Sequence, residues 1–168
     1  ENSNIVVRVT GLANSRKMFL DPQGIDLDRW QEKVDVSNVV FDKDTLIDQI
    51  SELNLRNAVF VDCTANYDIA SVYKKALSNN INVVTANKIA CSSDYELYQE
   101  LKAICLKNNV KFLYETNVGA GLPVIGTIND LVHSGDRIKK IEATVSGSLN
   151  FIFNTYDGKN TFHDVVMQ

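Results

Sequence analysis

The amino-acid sequence predicts an α/β protein with a doubly wound, largely parallel sheet. Short β-branched runs of strand length occur at residues 57–65, 81–88 and 110–118. Segments with the apolar periodicity of helices separate these runs. Strands that alternate with helices indicate βαβ crossovers, in which helices cover the faces of a parallel sheet.

The upstream elements follow from the same patterns. The first apolar run, residues 5–13, predicts a strand. Apolar residues then recur at helical spacing, and these are Leu46, Ile47, Ile50 and Leu53. Asp44 or Thr45 precedes this stripe as a candidate N-cap.

Two further helices are predicted between the later strands. The apolar positions of one are Ile69, Val72, Tyr73, Ala76 and Leu77. Those of the other are Tyr95, Tyr98, Leu101 and Cys105, and Ser92 and Ser93 lie where its N-cap belongs.

The pattern changes after Val118, where a second domain of α+β type is predicted to begin. Residues 122–136 predict a helix, residues 137–147 a strand and residues 148–156 another helix. We place the domain boundary between residues 118 and 119.

Composition favours a small-molecule partner. The formal net charge is −4 and the isoelectric point is near 5.1, which argues against nucleic acid or an anionic membrane as the main partner. Three cysteines without C-x-x-C spacing indicate reduced thiols rather than disulfides or zinc ligands. The sequence shows neither a bilayer-length apolar run nor a signal-peptide pattern, so we expect a cytoplasmic protein.

A basic segment follows the first predicted strand. Ser15, Arg16 and Lys17 supply a hydroxyl and two cations, and the next acidic residue is Asp21. In dinucleotide-binding sheets an acid at this place binds the ribose 2′-hydroxyl, whereas basic residues accept a 2′-phosphate. The segment therefore favours NADP over NAD, and the alternative is a solvated turn with incidental charges.

The ends of two predicted strands carry further candidates. Thr64 follows one strand and Lys88 ends the next, where open α/β sheets bind ligands. Lys88 is suited to orient a carbonyl, alcohol or carboxylate, and the alternative is a surface lysine. Cys63 is a weaker candidate nucleophile, because no histidine lies nearby in the sequence and free cysteines are usually buried.

The stretch YETNVGAGLPVIGT, residues 114–127, nearly matches the phosphate-binding pattern G-x-G-x-x-G, but Val124 replaces the third glycine. Glu115 before a flexible turn favours a cation site built from oxygens, with a tight turn as the alternative.

At the start of a later predicted helix, SGSLN offers backbone donors for an anionic group. Ser148 is equally a candidate helix cap.

Taken in order, ANSRKM, VDCTA, VVTANK, YETNVGAGLPVI, SGD and SGSLNFIFN resemble homoserine dehydrogenase, especially the dehydrogenase half of bifunctional aspartokinase/homoserine dehydrogenases. The resemblance covers nearly the whole chain. It implies an NAD(P)-dependent oxidoreductase that interconverts L-homoserine and L-aspartate 4-semialdehyde in threonine and methionine biosynthesis. It also implies a Rossmann-like domain over residues 1–118, the start of the catalytic and dimerisation domain over residues 119–168, and a homo-oligomer.

The resemblance implies roles for individual residues. The adenosine end of the cofactor would meet Ser15, Arg16 and Lys17. Its nicotinamide side would lie near Thr64, Ala65, Asn87 and the catalytic Lys88. Cofactor and substrate would face Gly147 and Ser148. A sodium or potassium ion would be held by Glu115 and by the carbonyls of Val118, Ala120 and Leu122.

Other parts of the family's site are expected outside this sequence. The glycine-rich fingerprint, with the first strand and helix, would precede Glu1. Segments of the E-P-D-P-R and D-V-A-R-K types would follow Gln168. We therefore expect the 168 residues alone to be inactive and to bind NADP(H) poorly.

Two alternatives stay open. One is another NADP-dependent semialdehyde dehydrogenase with Cys63 or Cys91 as nucleophile. The other is a noncatalytic α/β module used for dimerisation or regulation.

Overall fold

The computed structural model describes residues 5–144 and 146–168. The chain divides into two compact units, the first ending at Tyr114 and the second running from Glu115 to Gln168. This division falls shortly before the domain boundary predicted between residues 118 and 119. That boundary concerns the domains of the whole protein and stays a prediction.

The first unit contains a short β-hairpin. Strand β1 (Gly11–Ala13) pairs antiparallel with β2 (Met18–Leu20). Asn14 holds the turn, because its Oδ1 accepts hydrogen bonds of 2.8 Å from the amides of Arg16 and Lys17. The strand predicted over residues 5–13 is thus too long, because only its last three residues are paired. They pair antiparallel within the hairpin and not with a strand of the parallel sheet.

A parallel sheet forms the centre of this unit. Its strands are β3 (Val59–Asp62), β4 (Asn82–Thr85) and β5 (Phe112–Leu113), in that spatial order. Asp62 lies opposite Thr85, and Val83 lies opposite Phe112. The predicted α/β class with parallel strands is confirmed.

The helices of the first unit are α1 (Trp30–Val36), α2 (Lys43–Glu52), α3 (Tyr67–Ala70), α4 (Tyr73–Ser78), α5 (Ile89–Ser92) and α6 (Tyr95–Asn108). Asp42 caps α2 through a 2.7 Å bond from the amide of Thr45, so the cap predicted at Asp44 or Thr45 is wrong. Ser92 ends α5, and α6 begins after Asp94, so the cap predicted at Ser92 or Ser93 is also wrong.

The core lies between these helices and one face of the sheet. Its fully buried side chains include Ile47, Val72, Tyr73, Leu77, Val83 and Leu101. Most predicted apolar stripes are therefore confirmed, but Tyr95 is 69% exposed and does not belong to the core. The sheet's opposite face carries Val61, Val84 and Leu113, which are 59%, 37% and 50% exposed.

The regular elements described in the second unit are helical, and they begin with a 3-10 turn at Glu115–Asn117. Its helices are α7 (Val124–His133), α8 (Gly147–Thr155) and α9 (Phe162–Val166). The helices predicted over residues 122–136 and 148–156 are confirmed. The strand predicted over residues 137–147 is wrong for residues 137–144, which have no strand pairing, while Val145 lies outside the described residues.

Within residues 5–144 and 146–168, no helix combines the length and the apolar character needed to cross a bilayer.

Two substitutions on α6 test the assignment of the core. Leu101 is 0% exposed, so Leu101→Ala should lower the free energy of unfolding by about 2–5 kcal/mol. Leu106 is 85% exposed on the same helix, so the matched variant Leu106→Ala should change it by less than about 0.5 kcal/mol. Urea unfolding followed by circular dichroism measures both values, and equal losses would show that α6 packs through a different face.

Candidate functional site

Two predicted site segments lie side by side at one edge of the parallel sheet. Thr64 and Ala65 follow β3, while Asn87 and Lys88 follow the neighbouring strand β4. Parallel strands end at the same edge, so these loops are adjacent. Thr64, Ala65 and Lys88 are exposed there.

Beneath these loops lies a cluster of buried polar side chains. Asp62, Tyr73, Thr85 and Asn87 are each at most 2% exposed. The Tyr73 hydroxyl donates to Oδ2 of Asp62 at 2.5 Å and lies 2.7 Å from the hydroxyl oxygen of Thr85. Burial and the hydrogen bond to Asp62 raise the pKa of Tyr73, so its hydroxyl stays protonated at neutral pH.

Asn87 is part of this cluster rather than of the exposed surface. Its Nδ2 donates to Oδ2 of Asp62 at 3.1 Å and to the carbonyl of Asn66 at 2.9 Å. Its Oδ1 accepts a 3.1 Å bond from the amide of Ile89. The side chain therefore points inward, and the cofactor contact assigned to Asn87 from sequence stays a prediction.

The cysteines differ in exposure. Cys63 is exposed, against the usual tendency of free thiols to be buried, while Cys91 and Cys105 are partly buried. Desolvation raises the pKa of the Cys105 thiol, which disfavours the reactive thiolate there. All three are thiols, as the sequence predicted.

The predicted NADP-selecting residues occupy the turn of the β1–β2 hairpin. Ser15 and Arg16 are exposed. Lys17 is partly buried, and its Nζ donates to the backbone carbonyl of Asp35. Lys17 is thus held by a neighbouring segment, and Arg16 is the exposed cation of the turn.

In the second unit, Glu115 has a structural role that sequence reasoning missed. Its Oε1 accepts a 2.8 Å bond from the amide of Ile125, and its Oε2 accepts a 2.7 Å bond from the amide of Gly126. These amides belong to the first turn of α7, where a negative charge is favourable. No fixed sequence spacing signals such a cap, since the carboxylate comes from ten residues upstream of Ile125.

The turn between Glu115 and α7 contains the other predicted cation ligands. Gly119 and Ala120 have φ angles of 73° and 52°, a conformation that glycine adopts without strain. The carbonyl of Leu122 accepts a 2.9 Å bond from the amide of Val124. Carboxylate and carbonyl oxygens have a second lone pair, so an oxygen that accepts one of these hydrogen bonds can also bind a cation. The assignment of Glu115, Val118, Ala120 and Leu122 as cation ligands stays a prediction.

The start of α8 contains the remaining predicted residues. Ser146 caps this helix through a 3.2 Å bond from the amide of Leu149, so Ser148 is not the cap. Gly147 and Ser148 are exposed in the first turn and line a cavity of about 430 Å³. The other lining residues are Phe151, Ile152, Val165, Val166 and Gln168.

Two protein-family models match this chain. The family model for the NAD-binding domain of homoserine dehydrogenase matches residues 1–115. The chain belongs to the homoserine dehydrogenase family. A second model, described as homoserine dehydrogenase, matches residues 123–168.

Proteins similar in sequence to this chain occur in plants, bacteria and yeast. The chain is 41% identical over 169 residues to a bifunctional aspartokinase/homoserine dehydrogenase of Zea mays, a match that covers all of the chain and 18% of that protein. It is 36% identical over 151 residues to a homoserine dehydrogenase of Schizosaccharomyces pombe, covering 87% of the chain and 40% of that protein. The chain thus spans about a fifth of the length of its bifunctional relatives.

Solved structures share the fold. A Candida auris protein of unknown function matches with a TM-score of 0.85 and 32% identity, over 99% of this chain and 48% of that one. The homoserine dehydrogenase of Thermoplasma acidophilum matches with a TM-score of 0.67 and 22% identity, over 95% and 50% of the respective chains. The second likeness concerns the fold alone, and it agrees with the Rossmann-like class predicted from sequence.

The capping role of Glu115 can be tested by substitution. Glu115→Ala removes the acceptor for two amides of α7, so we expect the free energy of unfolding to fall by about 1 kcal/mol. Hydrogen exchange at Ile125 and Gly126 should become faster. The control is Glu142→Ala, since Glu142 is exposed and its ion pair with Lys140 should contribute less than about 1 kcal/mol. Unchanged exchange in Glu115→Ala would contradict the capping role.

Proposed function

We propose that the protein containing this chain is an NAD(P)-dependent homoserine dehydrogenase that interconverts L-homoserine and L-aspartate 4-semialdehyde, in the pathway to threonine and methionine. The proposal rests on one observation: in a chain of the homoserine dehydrogenase family, Thr64 and Lys88 lie at the same edge of the parallel sheet. Open α/β sheets bind their ligands at this edge.

The exposed residues at the edge fit a nicotinamide cofactor. Oγ1 of Thr64 accepts a 3.2 Å bond from the amide of Asn66, so the hydroxyl hydrogen is available to an acceptor on the cofactor. Ala65 presents a small side chain beside it, which permits close approach. The bound cofactor would accept a hydride from homoserine or return it to the semialdehyde.

Lys88 is the residue to which we assign a catalytic role. Its exposed ammonium group would orient the substrate oxygen and stabilise the negative charge that this oxygen gains as its proton leaves. We assign substrate contacts to Gly147 and Ser148, whose exposed first-turn position in α8 suits an anionic group.

We also propose a preference for NADP. Arg16 is exposed in the hairpin turn, next to the hydroxyl of Ser15, and the turn lacks an acidic residue before Asp21. Lys17 would contribute charge and its other N–H donors, because only one of the donors of its ammonium group is used on the carbonyl of Asp35. A guanidinium group is suited to bind a phosphate through two hydrogen bonds.

A monovalent cation, sodium or potassium, is proposed at Glu115 with the carbonyls of Val118, Ala120 and Leu122. Support comes from the occurrence of one carboxylate and three candidate carbonyls within residues 115–122. In this proposal Glu115 both caps α7 and contributes to the ion's ligand shell.

The remaining proposals concern assembly and location. We propose a cytoplasmic homo-oligomer, at least a dimer, without nucleic acid or membrane partners. Exposed apolar side chains on α8 support association, since Leu149, Phe151 and Phe153 are 54%, 49% and 67% exposed. Sedimentation of the full-length protein measures the assembly, and a monomer would contradict it.

The activity is tested on the full-length protein by following NADP+ reduction with L-homoserine, with and without sodium or potassium. Lys88→Met should lower kcat by about 10²-fold, because it removes a charge at the reacting oxygen. The control Lys111→Met, at an exposed lysine of the same unit, should leave kcat unchanged.

The outcomes of this assay separate the alternatives. A rate independent of the cation would contradict the ion site. Absence of homoserine-dependent reduction in every salt would favour a noncatalytic module. Activity that survives alkylation of Cys63 and Cys91 would exclude a semialdehyde dehydrogenase with a cysteine nucleophile.

Cofactor choice is tested by Arg16→Ala. Loss of one charge-assisted contact should raise the KM for NADP+ by about tenfold and leave the KM for NAD+ nearly unchanged. The exposed Arg56 provides the matched control, and Arg56→Ala should alter neither value. Equal changes for the two cofactors would contradict a role at the 2′-phosphate.

A further inference from the structure

We infer that Asp62, Tyr73 and Asn87 form a positioning network that fixes the loops carrying Thr64 and Lys88 for the dehydrogenase reaction. The inference rests on the proposed function. The three side chains are at most 1% exposed, so the role we assign to them here is exerted through the exposed residues of the two loops.

Asp62 is the centre of the network. Its Oδ2 accepts from the Tyr73 hydroxyl at 2.5 Å and from Nδ2 of Asn87 at 3.1 Å. Its Oδ1 accepts from the amide of Thr64 at 2.7 Å. One buried carboxylate therefore fixes the backbone of the first loop directly and that of the second loop through Asn87.

Asn87 holds the second loop at several points. Its Nδ2 uses both hydrogens, on Asp62 and on the carbonyl of Asn66, and its Oδ1 accepts from the amide of Ile89. Its own amide donates to the Thr85 hydroxyl oxygen at 2.8 Å. Lys88 thus lies between two anchored residues, which restricts the directions that its side chain can take.

Tyr73 connects the network to the helix layer. It is the first residue of α4, and its hydroxyl contacts both Asp62 on β3 and Thr85 on β4. A phenylalanine would fill the same space in the core without a buried hydroxyl. Burying a carboxylate and a hydroxyl costs free energy that apolar packing would not, which indicates that the polar cluster serves loop geometry.

The test uses the full-length protein with the variants Tyr73→Phe and Asn87→Ala. For both we expect kcat for homoserine oxidation to fall by about tenfold to a hundredfold, because misplacement of a reacting group by about 1 Å has effects of this size. The KM for NADP+ should rise by a smaller factor than kcat falls, because the network positions Thr64 at one part of the cofactor and leaves the contact proposed for Arg16 unchanged. Hydrogen exchange of peptides covering residues 62–66 and 85–91 should become faster.

The control is Ile47→Val, at a fully buried core residue outside the network. Ile47 lies on α2 and outside both loops, so this variant should lower stability while kcat and loop exchange match the wild type at temperatures where it is folded. This separates loss of positioning from a general loss of stability.

Two results would overturn the inference. One is a folded Tyr73→Phe protein whose kcat and loop exchange equal those of the wild type. If Tyr73→Phe does not fold, the same result in Asn87→Ala overturns the inference. The other is an Ile47→Val variant that loses as much kcat as Tyr73→Phe. If the wild type itself shows no homoserine oxidation, the proposed function fails, and loop exchange alone then supports or overturns the positioning role.

Discussion

The parallel register of β3 and β4 is the constraint on which the candidate site depends. Because Asp62 and Thr85 are paired at the last position of their strands, the loops that follow start from the same level of the sheet. The Asp62 carboxylate then connects them below the surface. A shift of either strand by one residue would turn its own buried residue, Asp62 or Thr85, to the opposite face and disrupt these bonds.

A second carboxylate, Glu115, fixes the start of α7 in a comparable way. It satisfies two amides of the first turn of α7 that have no partner within the helix. The same carboxylate lies in the turn for which the cation is proposed. An ion there would bind a carboxylate that the helix amides already hold in place. Each carboxylate oxygen accepts more than one contact, so the ion and the amides can share it.

Prediction from sequence succeeded where a local pattern is enough. The strands around Val61, Val83 and Phe112 were identified from β-branched and aromatic runs, and the buried face of α4 from helical spacing. Helix starts were less accurate, because the N-cap of α2 is Asp42, before the predicted residues, and that of α6 is Asp94, after them. Several polar side chains compete for each cap, and their spacing alone does not decide among them.

The sequence by itself determined the α/β class, the family and the segments that carry the candidate residues, because periodicity and motif order are properties of the chain alone. Only the tertiary structure decided that Asn87 points inward, that Tyr73 bonds to Asp62, and that Glu115 caps α7. These contacts join residues separated by ten or more positions. Their partners are selected by strand register and packing, which no local pattern encodes.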